Sequence, residues 1–145
     1  MTDLLVTYKI GNGGPMSYSQ IILAIAKKVG ISGHLLLAIC THETGLQNVV
    51  VPNDHGTPTY GLCQIKSGTA RDLGYEGKDE GLMDPQTNIK YAAIYLKKQL
   101  NRYHGNIHKA IAAYNAGSFV ESSLYPGVPR NLHYLNQVLE LLAKN

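Results

Sequence analysis

The chain has 145 residues, 44% of them hydrophobic and 16% charged, enough for one domain with a buried core and too apolar for a disordered segment. Its net charge of +3, from 13 basic and 10 acidic side chains, is too mild to imply nucleic acid, and no basic run interleaved with aromatics occurs. No apolar stretch approaches the roughly 20 residues of a membrane span, so membrane insertion is not expected.

Residues 1–16 alternate weakly and end in Gly11-Asn12-Gly13-Gly14-Pro15, which reads as a short extended arm and a turn. Met1 to Ile10 has neither a basic start nor a long apolar segment, so it is not read as a secretory signal. From Ser17 the chain turns helical. Ser17 and Gln20 have the spacing of a capping box, and Ile22, Ile25, Ala26 and Val29 recur at helical period before Gly30.

A second helix starts after Ser32-Gly33 and carries the run Leu35 to Cys40 up to Glu43-Thr44, with Gly45 as its stop. A carboxylate at that point lies against apolar surface and at the negative end of the helix dipole. Both effects disfavour the ionised form and raise the pKa, as a general acid near neutral pH requires. The plain alternative is a glutamate turned out into solvent.

Residues 46–60 lack helical period and contain Pro52, Asn53, Asp54, Gly56 and Pro58, the mark of a long loop of the functional kind. Tyr60 to Ile65 reads as extended and Ser67 to Gly74 as a short helix. Asp84 caps a long helix with Pro85 at its first position, carrying Ile89, Ala92, Leu96, Leu100 and Tyr103 on one face. Another helix runs from about Asn106 to Gly117, and a last one carries Leu132, Leu135, Val138, Leu139 and Leu142. Lys97, Lys98 and Arg102 read as a solvated helix face that would suit an anionic cell-surface polymer.

Cys40 and Cys63 have no metal-ligand spacing. Two buried thiols are the default expectation, with a disulfide between them as the alternative. None of the six histidines forms a His-Glu-x-x-His pattern. His104 and His108 are separated by Gly105 and Asn106, so neither a metal site nor a cofactor is expected. The domain division expected is an arm over 1–16 and one mainly α globular domain over 17–145.

Glu43-Thr44-Gly45, Gly61-Leu62-Cys63-Gln64-Ile65, Asp84-Pro85, Asn88-Ile89 and Ala113-Tyr114-Asn115-Ala116-Gly117 follow one another in order. That succession resembles the soluble lytic transglycosylase (SLT-type) catalytic domain of the lysozyme-like superfamily, over about residues 17 to 140. The resemblance implies a lysozyme-like fold and cleavage of the β-1,4 bond between N-acetylmuramic acid and N-acetylglucosamine, with 1,6-anhydromuramic ends. It makes Glu43 the acid and then the base, Thr44 the family's serine position, Gln64 the glutamine of the second motif, Tyr114 and Asn115 the third, and Tyr134 the tyrosine of the final helix. Two departures stand out: Cys63 replaces a methionine, and the stretch from Glu43 to Gly61 is a few residues longer than the family pattern.

Each of these residues also has a plainer role open to it. Tyr114 and Tyr134 suit core packing, Gln64 the bonding of backbone groups, and Thr44 the helix end. Tyr60 is a further candidate for the cleft wall. Asp54, in the long loop, is either a turn former or a second carboxylate that would make the protein a hydrolytic muramidase. A rival of another class is a non-catalytic wall-binding or phage structural module. The partner expected is the glycan strand of peptidoglycan, met by a monomer. By analogy, the absence of a signal suggests a phage-encoded lysin or virion-associated enzyme, made in the cytoplasm and delivered to the wall by a holin or the virion.

Overall fold

The chain, seen in a computed structural model, is described at residues 5–6 and 15–144. β1 (Leu5–Val6) lies antiparallel to β2 (Met16–Ser17), Leu5 opposite Ser17 and Val6 opposite Met16. The turn expected at Gly11 to Gly14 falls outside the described residues.

α1 (Tyr18–Val29) starts with the expected reciprocal cap. The Gln20 amide donates to Ser17 Oγ at 3.2 Å, and the Ser17 amide donates to Gln20 Oε1 at 2.9 Å. α2 (Gly33–Thr44) is capped by Ser32 Oγ and stops at Gly45, whose φ of 66° is the left-handed turn that ends a helix cheaply. It buries Leu35, Leu36, Ala38, Ile39 and Cys40.

Residues 46–60 are not the loop expected of them. β3 (Val50–Asp54) and β4 (Thr57–Tyr60) form a hairpin around His55 and Gly56, and β5 (Ile65–Lys66) adds to the other edge of β4. The β-branched residues Val49, Val50, Val51, Thr57 and Thr59 flank a turn-forming Asn53-Asp54-His55-Gly56, which is hairpin chemistry. Pro52 lies where the register shifts between Val51 and Asp54, and Pro58 lies beyond the reach of β5, positions where a missing N–H is tolerated. Gly61 to Gln64, expected to be extended, turns sharply instead. The Gln64 amide donates to the Gly61 carbonyl at 3.3 Å, and both residues have positive φ.

α3 (Ser67–Asp72) and a 3-10 turn (Asp79–Met83) lead to α4 (Pro85–Arg102), capped as expected by Asp84 Oδ2, which accepts from the Thr87 amide at 3.0 Å. α5 (Ile107–Ala116) starts from the Asn106 cap, and α6 (Leu132–Ala143) closes the described chain. α4 is the spine, packed against α1 and α5, while α6 crosses α2 and α5. Ile21, Ile22, Leu36, Ile39, Ile89, Leu96, Ile111 and Val138 are fully buried between them. Leu132, expected on the buried face of α6, is 41% exposed. Lys97, Lys98 and Arg102 are exposed on α4, the solvated face expected of them. Lys97 Nζ donates to the Val29 carbonyl at 2.8 Å and Arg102 to the Gly117 carbonyl at 3.2 Å, each at the negative end of a helix.

Cys40 and Cys63 are joined in a disulfide, not left as two thiols. α2 packs its buried face on the Gly61–Gln64 turn and brings the two Cα atoms to 4.4 Å, within bridging range. Among the described residues no helix is long and apolar enough to cross a membrane.

Candidate active site

Glu43 sits in the last turn of α2, three residues beyond the bridged Cys40. Its Oε2 accepts a hydrogen bond from the Tyr134 hydroxyl, on α6, at 2.8 Å. The Tyr134 ring is itself held edge-on against His42, centroids 4.9 Å apart. Burial pushes the Glu43 carboxyl from its ordinary 4.5 to about 7. The Tyr134 hydrogen bond opposes that rise, and the charge of Asp54 adds to it. A carboxyl poised near 7 is populated in both protonation states at neutral pH, so it can give a proton and take one back.

An open cavity lies before Glu43. Asp54, Gln64, Thr69, Tyr95, Tyr114 and Asn115 are among the residues that line it. Tyr114 is 6% exposed, its ring tilted on that of Tyr95 at 5.1 Å, and its hydroxyl donates to the Cys63 carbonyl at 2.9 Å. Burial first, then the Glu43 charge, holds this phenol well above its usual range, so it stays protonated. Asn115, on the exposed end of α5, accepts from Asn131 Nδ2 at 2.9 Å.

The amide of Gln64 is occupied within the protein. Its Oε1 accepts from the Thr59 hydroxyl at 2.5 Å, and its Nε2 donates to the carbonyls of Gly61 at 2.9 Å and Val49 at 3.1 Å. These bonds brace a backbone held at φ 55°, uncommon for a residue with a side chain. Thr44 is a bracket of the same kind: its hydroxyl donates to the Leu62 carbonyl at 2.8 Å and accepts from the Gln47 amide at 3.2 Å. Neither Thr44, Tyr60 nor Tyr134 lines the cavity wall. Tyr134 reaches Glu43 from the α6 side, and Tyr60 packs partly buried against the core.

Asp54 lies in the turn of the β3–β4 hairpin, paired with His55 Nδ1 at 2.9 Å, and it also faces the cavity that Glu43 lines.

Asn88 received no role in the sequence, yet it is the hub of the site's scaffold. Fully buried, it donates through Nδ2 to the carbonyls of Tyr60 at 2.7 Å and Leu82 at 2.9 Å, and accepts from the Cys63 amide at 3.0 Å. One side chain thus ties α4 to the hairpin, the disulfide turn and the 3-10 segment. A Cβ on Gly61 would overlap this amide, its Cγ only 2.5 Å away, so the glycine is required for close approach as well as for its φ of 79°. The available signal was a polar residue on the apolar stripe of α4: Asn88, Ala92, Tyr95 and Gln99 follow at steps of four, three and four. Tyr95, Thr59, Lys66 and Thr69 join the cavity lining without having been singled out.

Solved structures with the same arrangement of elements include three of lytic transglycosylases. The lytic transglycosylase Slt of Pseudomonas aeruginosa, in an inactive glutamate-to-glutamine mutant form, superposes with a TM-score of 0.60 at 22% identity, over 85% of this chain and 20% of that one. The 70-kDa soluble lytic transglycosylase of Escherichia coli superposes at 0.61 and 24% identity, over 89% and 19%. A complex of the 70-kDa soluble lytic transglycosylase with bulgecin A gives 0.59 and 24%, over 87% and 19%. This chain therefore spans about a fifth of the length of those proteins. At such identities the likeness establishes the lysozyme-like fold. Residues 20–123, most of the chain and all of the cavity lining, match the transglycosylase SLT domain, and the chain belongs to that family.

Proposed function

We propose that this chain is a peptidoglycan lytic transglycosylase. It cleaves the β-1,4 bond between N-acetylmuramic acid and N-acetylglucosamine through one carboxyl group, that of Glu43. The observation that carries the reading is the poised Glu43 carboxyl, lifted to about 7 by burial and touched by the Tyr134 hydroxyl, on an open polar cavity. Protonated Glu43 gives its proton to the leaving glycosidic oxygen as positive charge develops on the muramic ring. The resulting carboxylate takes the proton of the sugar's own carbon-6 hydroxyl, whose oxygen bonds to carbon 1. A 1,6-anhydro ring forms, no water is consumed, and Glu43 is protonated again.

Tyr134 keeps the carboxyl oriented through both half-steps. Tyr114, Gln64 and Thr44 act by holding the cavity wall in place, since their polar atoms are engaged within the protein. Asn115, exposed at the rim, is the contact assigned to substrate hydroxyl or N-acetyl groups. The catalytic unit is assigned to residues 17–145. The Cys40–Cys63 disulfide fits work in an oxidising compartment, outside the reducing cytoplasm and where peptidoglycan is met.

Mass spectrometry of muropeptides released from purified peptidoglycan tests the reading, with Glu43→Gln in parallel. Products lighter by one water, absent with the variant, are expected. Reducing-end products would make the protein a hydrolase. Release of nothing by either form would leave a binding module.

A further inference from the structure

Beside the catalytic cavity lies a second one, continuous with it in that Thr69, Tyr95 and Gly117 line both. Its charge differs from that of the first. α4 contributes Lys98, Gln99 and Arg102, α3 contributes Asp72, and the balance of these side chains is positive. Lys98 is exposed and has no hydrogen bond or ion pair among the described residues. Arg102 gives one N–H to the Gly117 carbonyl and rests over the Tyr103 ring, which leaves further donors of its fork unused. Gln99 is 2% exposed; its Nε2 donates to the Gly117 carbonyl at 3.3 Å while its Oε1, itself closed off from solvent, has no partner among the described residues. The cavity is thus lined by positive charge and by the unused donors of Lys98 and Arg102.

We propose that this second cavity receives a carboxylate of the stem peptide that the muramic acid carries. The inference rests on the glycan-cleaving function above, since it names a further part of the same substrate. Where a stem is attached, the lactyl carboxyl of the muramic acid is taken up in an amide and the glycan presents only hydroxyl, ether and amide groups, so a cationic recess next to the cleavage site matches the carboxylates of the stem. A carboxylate is the partner that an unpaired lysine and a free guanidinium edge bind best.

The test compares soluble glycan strands whose stem carboxylates are free with the same strands after those carboxylates are converted to amides. Wild-type kcat/KM is expected to favour the free acids about three- to tenfold, chiefly through KM, with the preference shrinking as salt is added. Lys98→Ala should abolish the preference, and Lys98→Arg should restore it. Equal rates on the two strands in wild type, or a preference that survives Lys98→Ala, overturns the proposal. The same ratio read as Kd with the Glu43→Gln variant separates the two readings. If no strand is cut at all, the function above fails while the binding ratio still decides whether the cavity takes a carboxylate.

Discussion

Tyr134 and Glu43 lie 91 positions apart in the chain and meet at 2.8 Å, the phenol donating to the carboxylate. The bond stabilises the ionised form and so holds down a pKa that burial raises. Tyr134→Phe removes that restraint, and the Glu43 pKa should rise above about 7. The limb on which activity falls with rising pH, where the acid form is lost, then moves to higher pH. Loss of an oriented donor should also lower kcat about tenfold at the optimum. A pH–rate profile checks both, and an unshifted limb would remove Tyr134 from the control of Glu43.

Glu43 itself should cost the fold stability at neutral pH. Its folded pKa is about 7 against an ordinary 4.5, so between those values the native state binds more protons than the unfolded one. The native state is therefore at its best below pH 4.5 and loses ground as pH rises through 7. Glu43→Gln carries no such penalty. It should be the more stable form at pH 8, by at most about 3 kcal/mol, and should match wild type near pH 4. Thermal melts across that range report the difference, and a variant less stable at every pH would contradict the assigned burial of charge.

The Cys40–Cys63 bridge closes a sequence separation of 23 residues and joins α2, which carries Glu43, to the turn whose carbonyl accepts from Tyr114. Replacing both cysteines by alanine should lower stability by about 2–4 kcal/mol, in line with a loop of that size. It should also lower activity, because the Glu43 end of α2 and the Gln64 wall are then joined only by hydrogen bonds such as Thr44 to Leu62. Denaturant unfolding of the oxidised protein and the double variant measures the first effect. Equal midpoints would mean that the bridge does not hold these parts together.

Asn88→Ala should be among the most damaging changes outside the cavity. It strands the Cys63 amide and the carbonyls of Tyr60 and Leu82, all of which meet one buried amide. Three lost bonds with buried partners left over amount to about 3 kcal/mol or more. A loss below about 1 kcal/mol in urea unfolding would show that water replaces the side chain without difficulty.

These residues also show where sequence stops being legible. The caps at Ser17 and Asp84 are readable because a cap is a bond between positions three apart, whereas those at Ser32 and Asn106 come from the structure. Glu43 stood out because its apolar run and Gly45 are its immediate neighbours. The hairpin was obscured by two prolines inside it, which sit at the bulge and beyond the short partner strand. The disulfide depends on α2 meeting the Gly61–Gln64 turn, a tertiary event that the spacing of Cys40 and Cys63 does not encode. Tyr134, flanked by Leu132 and Leu135, looked equally suited to the core, and its ring is indeed buried; only the packing of α6 on α2 reveals where the hydroxyl goes.

Asp54 decides between one carboxyl group and two. It lines the same cavity as Glu43, and its charge helps to raise the Glu43 pKa. Its side chain is also 39% exposed and paired with His55 at the hairpin end, so one of its oxygens is already engaged by a neighbour in the turn. If Glu43 works alone, Asp54→Asn leaves anhydromuramic products in place and lowers the rate by less than about tenfold. The substitution removes a negative charge near Glu43, so the Glu43 pKa should fall and the high-pH limb of activity should move to lower pH, opposite to the shift for Tyr134→Phe. A hydrolase that used Asp54 as the base for water would instead lose about 100-fold or more in rate, and its wild-type products would carry reducing ends. Product masses and the direction of the pH shift, read on the same two proteins, separate the mechanisms.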